Sequence, residues 1–546
     1  MRKLLTAVFA ATLAAPALAI PPLPERRPSP PPKLIVAISV DQFSADLFDQ
    51  YRGAFTGGLA RLAHGAAFRN GYQGHAATET CPGHSTILTG ARPARTGIIA
   101  NSWFDLSQAR SDKGVYCAED ERVPGSSTSK YTVSPLHLRV PTLGERLKVM
   151  SPASRSVAVA GKDRSAVMMT GTRVDQRWYW DGKKFTTDLA GVTTPQAVTA
   201  TNAVVARLIA NPGDPLESPA LCQAKAKPVE LEGGGRVGAG AFARTARDAK
   251  DFRASPQFDG ATLALAAGLI AEMKLGQRKA TDLIAIGASA TDYVGHTYGT
   301  EGQEMCLQLL SLDRDLGDFF GQLDKQGLDY AVVLTADHGG NDLPERAQQQ
   351  GIRDAARVDP GLFPATMGKA IAAELKLAGP VLTGDGPFGD IYLDRALKPA
   401  DRRRAEKAAI ARYQAHPQVE AVFTHAQLKR APLPTTPPDQ WTMAERARAS
   451  FDDQRSGDLV VLLRRRVTPI TGTKAYVATH GSPWDYDRRV PILFWRKDIA
   501  PSPSDAVVET VDIVPTLAAW IGLRLAHGAV DGHCLMTISD IACPPR

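Results

Sequence analysis

The sequence places aspartate and histidine at spacings that suit a single metal ion. Asp292 and His296 are four residues apart, so they would point to the same side of a helical turn. His480, within the segment 478–482, could complete that set. Carboxylate oxygens and imidazole nitrogens are ligands of zinc. These three residues therefore indicate a zinc site.

A second set of donors adds a hydroxyl group to carboxylates and a histidine. Its members are Asp41, Thr80, Asp337 and His338. Two zinc ions about 4 Å apart can polarise a phosphoryl oxygen, stabilise a leaving group and lower the pKa of a coordinated hydroxyl. Thr80 would then attack as an alkoxide. The two sets together indicate phosphoryl-transfer chemistry.

Each of these residues also has a purely structural explanation. A single aspartate at a strand end commonly caps a helix, and a single histidine is commonly a hydrogen-bonded loop residue. The pair Asp337 and His338 before Gly339 and Gly340 fits that explanation poorly. Four other histidines lack an aspartate at matching spacing after a strand and are expected to be structural or surface residues: His75, His84, His137 and His425.

The residues around Thr80 have the features of a helix start. Pro82 suits the first turn, where its missing N–H costs nothing, and Gly90 is expected to end the helix. The free N–H groups and partial positive charge of a helix N-terminus suit a phosphate group. An ordinary capped helix is the simpler explanation of this segment taken alone.

Three apolar segments would bring the acidic residues together. The segments are continuous and rich in β-branched residues, as are strands buried on both faces of a parallel sheet. Each leads into one of the aspartates: 34–40 into Asp41, 283–286 into Asp292, and 330–335 into Asp337. Ligands bind at the carboxyl ends of strands in open α/β sheets.

Helical patterns separate the apolar segments and predict an α/β fold, in which a doubly wound, mostly parallel sheet has helices on both faces. These patterns span 261–273, 303–323 and 511–518. The pair Asp181-Gly182 predicts a hairpin at 177–183. The segment 381–393, with the basic helix that follows it, could form a smaller appended unit.

A single catalytic domain is expected over residues 33–546. The candidate residues run from Asp41 to His480, so any division of the chain would divide the site. Inserted segments are expected at approximately 103–155, 172–258 and 340–475.

Residues 1–19 have the pattern of a secretory signal peptide, because Arg2 and Lys3 precede an apolar run and a small-residue cleavage site. Residues 20–32 form a proline-rich spacer. The apolar run is too short for a comfortable membrane span, and no later stretch reaches the roughly 20 apolar residues required. We therefore expect a periplasmic or secreted protein without stable membrane insertion after cleavage.

The charge balance argues against a nucleic-acid partner. The formal net charge falls from +7 to +5 on loss of Arg2 and Lys3, which is mild for 546 residues. The six cysteines contain no Cys-x-x-Cys pair, and their even number in an exported chain favours disulfides. Cys534 with Cys543 is the best local pair, and the less constrained assignments are Cys81 with Cys117 and Cys222 with Cys306.

The motifs together resemble the alkaline phosphatase superfamily. They are Asp41 after its strand, 80–84, 97–101, Asp292-x-x-x-His296, 336–339 and 479–481. The threonine resembles both the nucleotide pyrophosphatase/phosphodiesterase branch and the bacterial secreted threonine-type alkaline phosphatases. The segment 162–164, Lys-Asp-Arg, resembles the latter. Residues 81–85 lack the Cys-x-Pro-x-Arg arrangement of sulfatases.

This resemblance implies a zinc-dependent alkaline phosphatase that hydrolyses small-molecule phosphate monoesters through a phosphothreonine intermediate. It implies two zinc ions (Zn2+) per subunit, one held by Asp292, His296 and His480 and the other by Asp41, Thr80, Asp337 and His338. It also implies that phosphate oxygens are bound by Asn101, Lys162 and Arg164.

Two alternatives remain open. A phosphodiesterase or nucleotide pyrophosphatase would use the same metal centre, but a monoester has one more negative charge for Lys162 and Arg164 to complement. A non-catalytic zinc protein is the weakest hypothesis, because structural sites favour closed coordination, often by cysteine, and this set includes a nucleophile.

Overall fold

The computed structural model describes residues 30–544 except 239, 241, 498, 537, 539, 540 and 542. The predicted signal peptide and most of the proline-rich spacer lie outside the described residues. The strands are β1 Leu34–Val40, β2 Ala66–Tyr72, β3 Ser102–Phe104, β4 Gly114–Tyr116, β5 Ser156–Ala160, β6 Gln176–Trp180, β7 Phe185–Thr186, β8 Val229–Glu230, β9 Arg236–Val237, β10 Asp282–Ala288, β11 Tyr330–Thr335, β12 Ala356–Arg357, β13 Leu382–Thr383, β14 Gly389–Leu393, β15 Val419–Thr424, β16 Leu459–Leu463, β17 Val467–Thr468, β18 Arg489–Arg496 and β19 Ser504–Glu509.

The α-helices are α1 Ala45–Tyr51, α2 Gly58–Ala63, α3 Thr80–Ile87, α4 Pro93–Thr96, α5 Leu143–Met150, α6 Asp163–Thr170, α7 Gln196–Ala210, α8 Ala220–Gln223, α9 Ala249–Arg253, α10 Pro256–Glu272, α11 Ala290–Tyr298, α12 Gln303–Lys325, α13 Pro344–Gln349, α14 Pro364–Leu375, α15 Pro399–Ala415, α16 His425–Arg430, α17 Met443–Ser450, α18 Asp485–Arg488 and α19 Ile513–Trp520. Short 3-10 helices span Pro360–Leu362, Pro438–Gln440 and Thr510–Asp512. The three helices predicted from periodicity are therefore present as α10, α12 and the 3-10 turn leading into α19.

The main sheet has nine strands in the order β19-β2-β18-β11-β1-β10-β5-β6-β7. Strand β18 is antiparallel to both of its neighbours and β7 is antiparallel to β6, whereas the other neighbouring pairs are parallel. This arrangement confirms the predicted mostly parallel α/β sheet.

Both faces of the sheet are covered by helices. Along β1, Val36 and Ile38 pack in one apolar core with α10 and α12, while Ile35 and Ala37 pack in the other with α3, α5 and α19. All four side chains are buried, and each large aliphatic one stabilises the fold by about 1.5–3 kcal/mol. The continuous apolar run of β1 follows directly from burial on both faces.

A second, smaller sheet includes strands of the segment 381–393, which was expected to be appended, and extends beyond that segment to β15 and β16. Its strand order is β13-β14-β16-β15, and it packs against α14 and α15 around its own apolar core. The hairpin predicted at Asp181-Gly182 also forms, but its strands β6 and β7 extend the main sheet. The inserted segment assigned to 172–258 therefore begins with two strands of the main sheet, because β6 pairs with β5 over a long-range register that the hairpin signal does not contain.

The three predicted disulfides are present: Cys81–Cys117, Cys222–Cys306 and Cys534–Cys543. Among the described residues, no helix combines the length and the apolar character needed to cross a bilayer.

Candidate active site

Three neighbouring strands bring the aspartates together. β1 lies between β10 and β11, and the three strands are parallel, so their carboxyl ends meet at one edge. Asp41 follows β1, Asp292 lies in the first turn of α11 after β10, and Asp337 follows β11. All three carboxylates are buried. The structure thus places the predicted acidic residues at the predicted edge.

The donors form two triads whose ligand atoms lie within 4.8 Å of one another. One triad is Asp292, His338 and His480, and the other is Asp41, His84 and Asp337. His296 lies beside the first triad, with its Nε2 3.2 Å from Asp292 Oδ1. The ring of His338 stacks on that of His480 with centroids 3.6 Å apart, so the two triads adjoin.

This grouping differs in the places of three histidines from the one that the resemblance implies, since His296 lies beside the first triad and not in it. His338 groups with Asp292 and His480, and His84 takes the place of His338 beside Asp41 and Asp337. Asp337 Oδ2 lies 3.2 Å from both His84 Nδ1 and His338 Nε2, so either imidazole can share a cation with it. The division of ligands between two ions stays a prediction.

Of the two roles expected for His84, structural or surface, the structure excludes the second, and it also places His84 beside the acidic edge. Its side chain is fully buried, its Nδ1 lies 2.9 Å from the Thr80 carbonyl oxygen, and its Nε2 lies 3.3 Å from Asp41 Oδ1. Burial lowers the pKa of His84, but the charges of Asp337 and Asp41 outweigh it and raise the pKa to about 9. The feature of the sequence that could have identified His84 as a site residue is its position four residues after Thr80, on the same face of α3.

Backbone carbonyls orient the histidines of the first set. His296 Nδ1 lies 2.9 Å from the Ala478 carbonyl oxygen, and His480 Nδ1 lies 2.8 Å from that of Thr78. Each imidazole donates through Nδ1, which leaves Nε2 to face Asp292 as an acceptor. A carbonyl partner on the second nitrogen is the usual support of a metal-binding histidine.

The buried donors fit divalent cations. Several of their atoms form no hydrogen bond with the described residues and have only ion-pair contacts with neighbouring side chains: both carboxylate oxygens of Asp41, Asp337 Oδ2, His338 Nε2 and His84 Nε2. A buried polar atom without a partner costs free energy, and a charged one costs more. The mixture of oxygen and nitrogen donors is one that zinc accepts.

Lys162 lies between the two triads. Its Nζ is 2.6 Å from Asp292 Oδ2 and 2.8 Å from Asp41 Oδ2, and the side chain is buried. Burial lowers the pKa of Lys162, but the two carboxylates outweigh it and leave the pKa above its usual range. A permanent positive charge therefore lies at the centre of the acidic edge.

Thr80 begins α3 and is buried beside this edge. Arg164 Nη2 donates to Thr80 Oγ1 at 3.4 Å, and Asn101 Oδ1 accepts from the Cys81 backbone N–H at 2.8 Å. A Cβ at Gly83 would lie 1.9 Å from the Asp337 carbonyl oxygen, so only glycine lets α3 approach the end of β11 this closely. Thr80, predicted from its position at a helix start, therefore lies together with Asn101 and Arg164, which the resemblance implies.

Gln42 also contacts the site aspartates, although it was not among the residues predicted from the sequence. Its backbone N–H donates to Asp337 Oδ1 at 3.1 Å and its side-chain amide to Asp292 Oδ1 at 3.2 Å. The residue has φ of 63°, a left-handed conformation that a glutamine adopts only under constraint. The feature of the sequence that could have identified Gln42 is its position directly after Asp41, which follows β1.

The site opens into a cavity of about 1180 Å³ between the main sheet and the smaller sheet. Thr80, Asn101 and Arg164 line it together with aromatic residues such as Phe104 and Tyr392. It is large enough for a drug-sized ligand.

Comparisons with known proteins agree with this geometry. The profile of the family described as type I phosphodiesterase / nucleotide pyrophosphatase matches residues 35–483. The chain is 54% identical over 519 residues to alkaline phosphatase PhoK of Sphingomonas sp., which covers 94% of this chain and 93% of the relative. It is 47% identical over 507 residues to alkaline phosphatase PhoD of Zymomonas mobilis, which covers 92% of this chain and 88% of the relative.

The fold is also similar to a solved structure. The crystal structure of wild-type alkaline phosphatase PafA has a TM-score of 0.80 and 25% identity, over 94% of this chain and 100% of that chain. The family profile spans most of the chain and the relatives match nearly its whole length, so the resemblance predicted from the motifs is confirmed. The chain therefore belongs to the alkaline phosphatase superfamily, in the type I phosphodiesterase / nucleotide pyrophosphatase branch, and it is a hydrolase of the alkaline phosphatase type.

Proposed function

We propose that this protein hydrolyses small-molecule phosphate monoesters through a phosphothreonine intermediate, with zinc as its metal. The observation that carries the proposal is the position of the Thr80 hydroxyl. It lies at the first residue of a buried helix, within hydrogen-bond distance of Arg164, and opens into the cavity beside both donor triads. The relatives named alkaline phosphatases support the same reaction.

The ligand assignment of the proposal follows the resemblance. Two zinc ions per subunit would be held by Asp292, His296 and His480 and by Asp41, Thr80, Asp337 and His338. When bound, zinc would lower the pKa of the Thr80 hydroxyl and offset the charge of phosphoryl oxygens. The unpartnered buried atoms of Asp41, Asp337 and His338 support this assignment.

The chain's own residues carry the two chemical steps. The Thr80 hydroxyl gives up its proton to solvent and its Oγ attacks phosphorus, the bond from phosphorus to the ester oxygen breaks, and the leaving oxygen takes a proton from solvent. Water then attacks the same phosphorus and loses a proton, the bond to Thr80 Oγ breaks, Thr80 Oγ takes up a proton, and inorganic phosphate leaves. Arg164 and Asn101 hold phosphoryl oxygens in place during both displacements, and the N-terminus of α3 offers free N–H groups beside them.

Arg164 is positioned by a tyrosine pair. Asp163 accepts hydrogen bonds from the hydroxyls of Tyr116 and Tyr131, both at 2.8 Å, and from the Arg164 backbone N–H at 2.7 Å. Tyr116 precedes Cys117, whose disulfide joins it to Cys81, the residue after Thr80. The disulfide therefore links the segment that carries Thr80 to Tyr116, which contacts Asp163 beside Arg164.

Lys162 and Arg164 favour monoesters over the alternative phosphodiester substrates. A monoester is a dianion, so two fixed cations complement it better than a diester, which has one negative charge and a second substituent. The family description names phosphodiesterases, so phosphodiester hydrolysis is the alternative function. The ratio of monoester to diester hydrolysis distinguishes the two functions.

The proposal also includes the cellular location of the protein and the domain organisation of its chain. All six cysteines pair, which supports a periplasmic or secreted protein because disulfides persist in oxidising compartments. Residues 33–546 would act as one catalytic domain, since the site draws on residues from Asp41 to His480. Its substrates would be small phosphate esters, with no nucleic-acid partner.

Removing the Tyr116 hydroxyl should weaken the hold on Arg164. Tyr116→Phe leaves Asp163 one donor short, so the carboxylate can compete for the guanidinium, and kcat/KM for an aryl phosphate should fall about 10-fold. Tyr330→Phe is the matched control, because it removes a similar Tyr–Asp hydrogen bond of 2.9 Å at the opposite end of β11. Equal losses in both variants would show that Tyr116 has no specific role.

Replacing Thr80 should abolish the intermediate. Thr80→Ala removes the nucleophile, and kcat should fall by roughly 1,000-fold or more, whereas Thr80→Ser keeps the oxygen and should retain a larger share of the rate. Acid quench during turnover followed by mass spectrometry should find phosphate on residue 80 in the wild type. Near-normal turnover by Thr80→Ala would mean that water attacks the substrate directly.

The two cations should set the ester preference. In the double variant Lys162→Ala with Arg164→Ala, kcat/KM for an aryl phosphate monoester should drop by more than roughly 100-fold, about 3 kcal/mol. The rate on the matching diester should fall much less, because a diester presents less charge. If both substrates lose activity equally, the phosphodiesterase reading gains the advantage.

A further inference from the structure

One arginine in the cavity is used by none of the interactions described above. Arg253 is the last residue of α9, is half-buried, and lines the same cavity as Thr80 and Arg164. Its guanidinium forms no hydrogen bond and no ion pair with any residue that the structure describes, apart from its stacking contact with a tyrosine ring. A charge partly removed from water is stabilised by a partner of opposite charge, and none of the described residues supplies one to Arg253.

The position of Arg253 is fixed by two aromatic contacts. Its Cζ lies 4.4 Å from the ring centroid of Tyr293, one residue after Asp292. The preceding residue, Phe252, is fully buried and packs edge-on against Phe258 at 5.6 Å. A cation over an aromatic face gains about 0.5–1 kcal/mol at exposed sites, and the anchored helix end limits the freedom of the side chain.

Tyr293 connects this arginine to the phosphate-binding cations. Lys162 Nζ lies 5.0 Å from the same ring centroid, so the ring has a cation near it on the site side as well. Arg253 therefore lies at the same tyrosine ring as Lys162, and it lines the same cavity as Arg164.

The rest of the cavity would repel an anion. Glu79, Asp385 and Asp390 line it and lie close enough for their charges to interact, and Glu232 is a further, exposed carboxylate. A negatively charged part of a substrate would therefore be favoured beside Arg253 over positions beside these carboxylates. Exposed Lys474 also lines the cavity, but its long side chain at the surface offers no fixed position.

We infer that Arg253 forms a second anion subsite, which binds a phosphate group carried by the leaving group of the substrate. This inference rests on the proposed function and deepens it, since it names the preferred substrates as phosphate monoesters with a second phosphate. Thr80 would attack one phosphorus while Arg253 holds the other phosphate, so the second group contributes binding without reacting. The contact is charge-assisted and made by a planar donor that suits phosphate oxygens.

A matched pair of substrates tests the inference. Propane-1,3-diol bisphosphate and 3-hydroxypropyl phosphate share a scaffold and differ only in the second phosphate. Initial phosphate release, corrected for the two equivalent ends of the bisphosphate, should show a higher kcat/KM for the bisphosphate in the wild type. Arg253→Gln should lower kcat/KM for the bisphosphate about 10-fold, mostly through KM, and change the value for the monophosphate less than about 2-fold.

Two further variants separate subsite loss from structural damage. Arg253→Lys keeps the charge and should retain a part of the bisphosphate preference. Arg314→Gln, an exposed arginine on α12 outside the cavity lining, should change neither substrate. The inference is overturned if the wild type shows no preference for the bisphosphate, or if Arg253→Gln lowers both values equally. If the wild type releases phosphate from neither compound, the proposed monoesterase function fails, and the inference fails with it.

Discussion

The structure depends on three buried carboxylates that lie at one edge of a parallel sheet. Asp41, Asp292 and Asp337 are each almost fully removed from water, and mutual repulsion would separate them unless positive charge lay between them. The chain supplies part of that charge through Lys162, which contacts two of them, and through His84, which contacts the remaining one and Asp41. The carboxylate oxygens in these ion pairs of Asp41 and Asp337 form no hydrogen bond with a described residue, which fits a site that could also hold cations.

The elements around this edge are arranged to deliver these groups. α3 begins at Thr80 and reaches the end of β11 because Gly83 has no side chain. α6 follows β5 and brings Lys162 and Arg164 to the same edge. The smaller sheet closes the cavity above them and contributes carboxylates to its far wall. The result is a site in which carboxylates, histidines, Lys162 and Arg164 lie close to the Thr80 hydroxyl.

The sequence predicted the elements whose signal is local. The apolar runs of β1, β10 and β11 are unambiguous because burial on both faces requires them, and each is followed by its aspartate. The sequence did not indicate the contacts that join distant segments. Nothing near His84 indicates that Asp41 and Asp337 enclose it, and the hairpin signal at Asp181 does not show that β6 pairs with β5.

Gln42 and Arg253 illustrate the same limit. The strained backbone of Gln42 and the unpaired guanidinium of Arg253 become visible only when neighbouring elements are in place. Asn101, Lys162 and Arg164 were placed in the site through the family resemblance, because their own surroundings in the sequence resemble ordinary helix and strand ends. Long-range packing therefore decided which polar residues were brought together.

The metal content of the purified protein tests the central claim most directly. If the buried carboxylates and histidines bind two divalent cations, elemental analysis should find two zinc ions per chain. Removal of the metal by a chelator should abolish monoester hydrolysis, and added zinc should restore it. Full activity in protein shown by the same analysis to contain no metal would contradict the account.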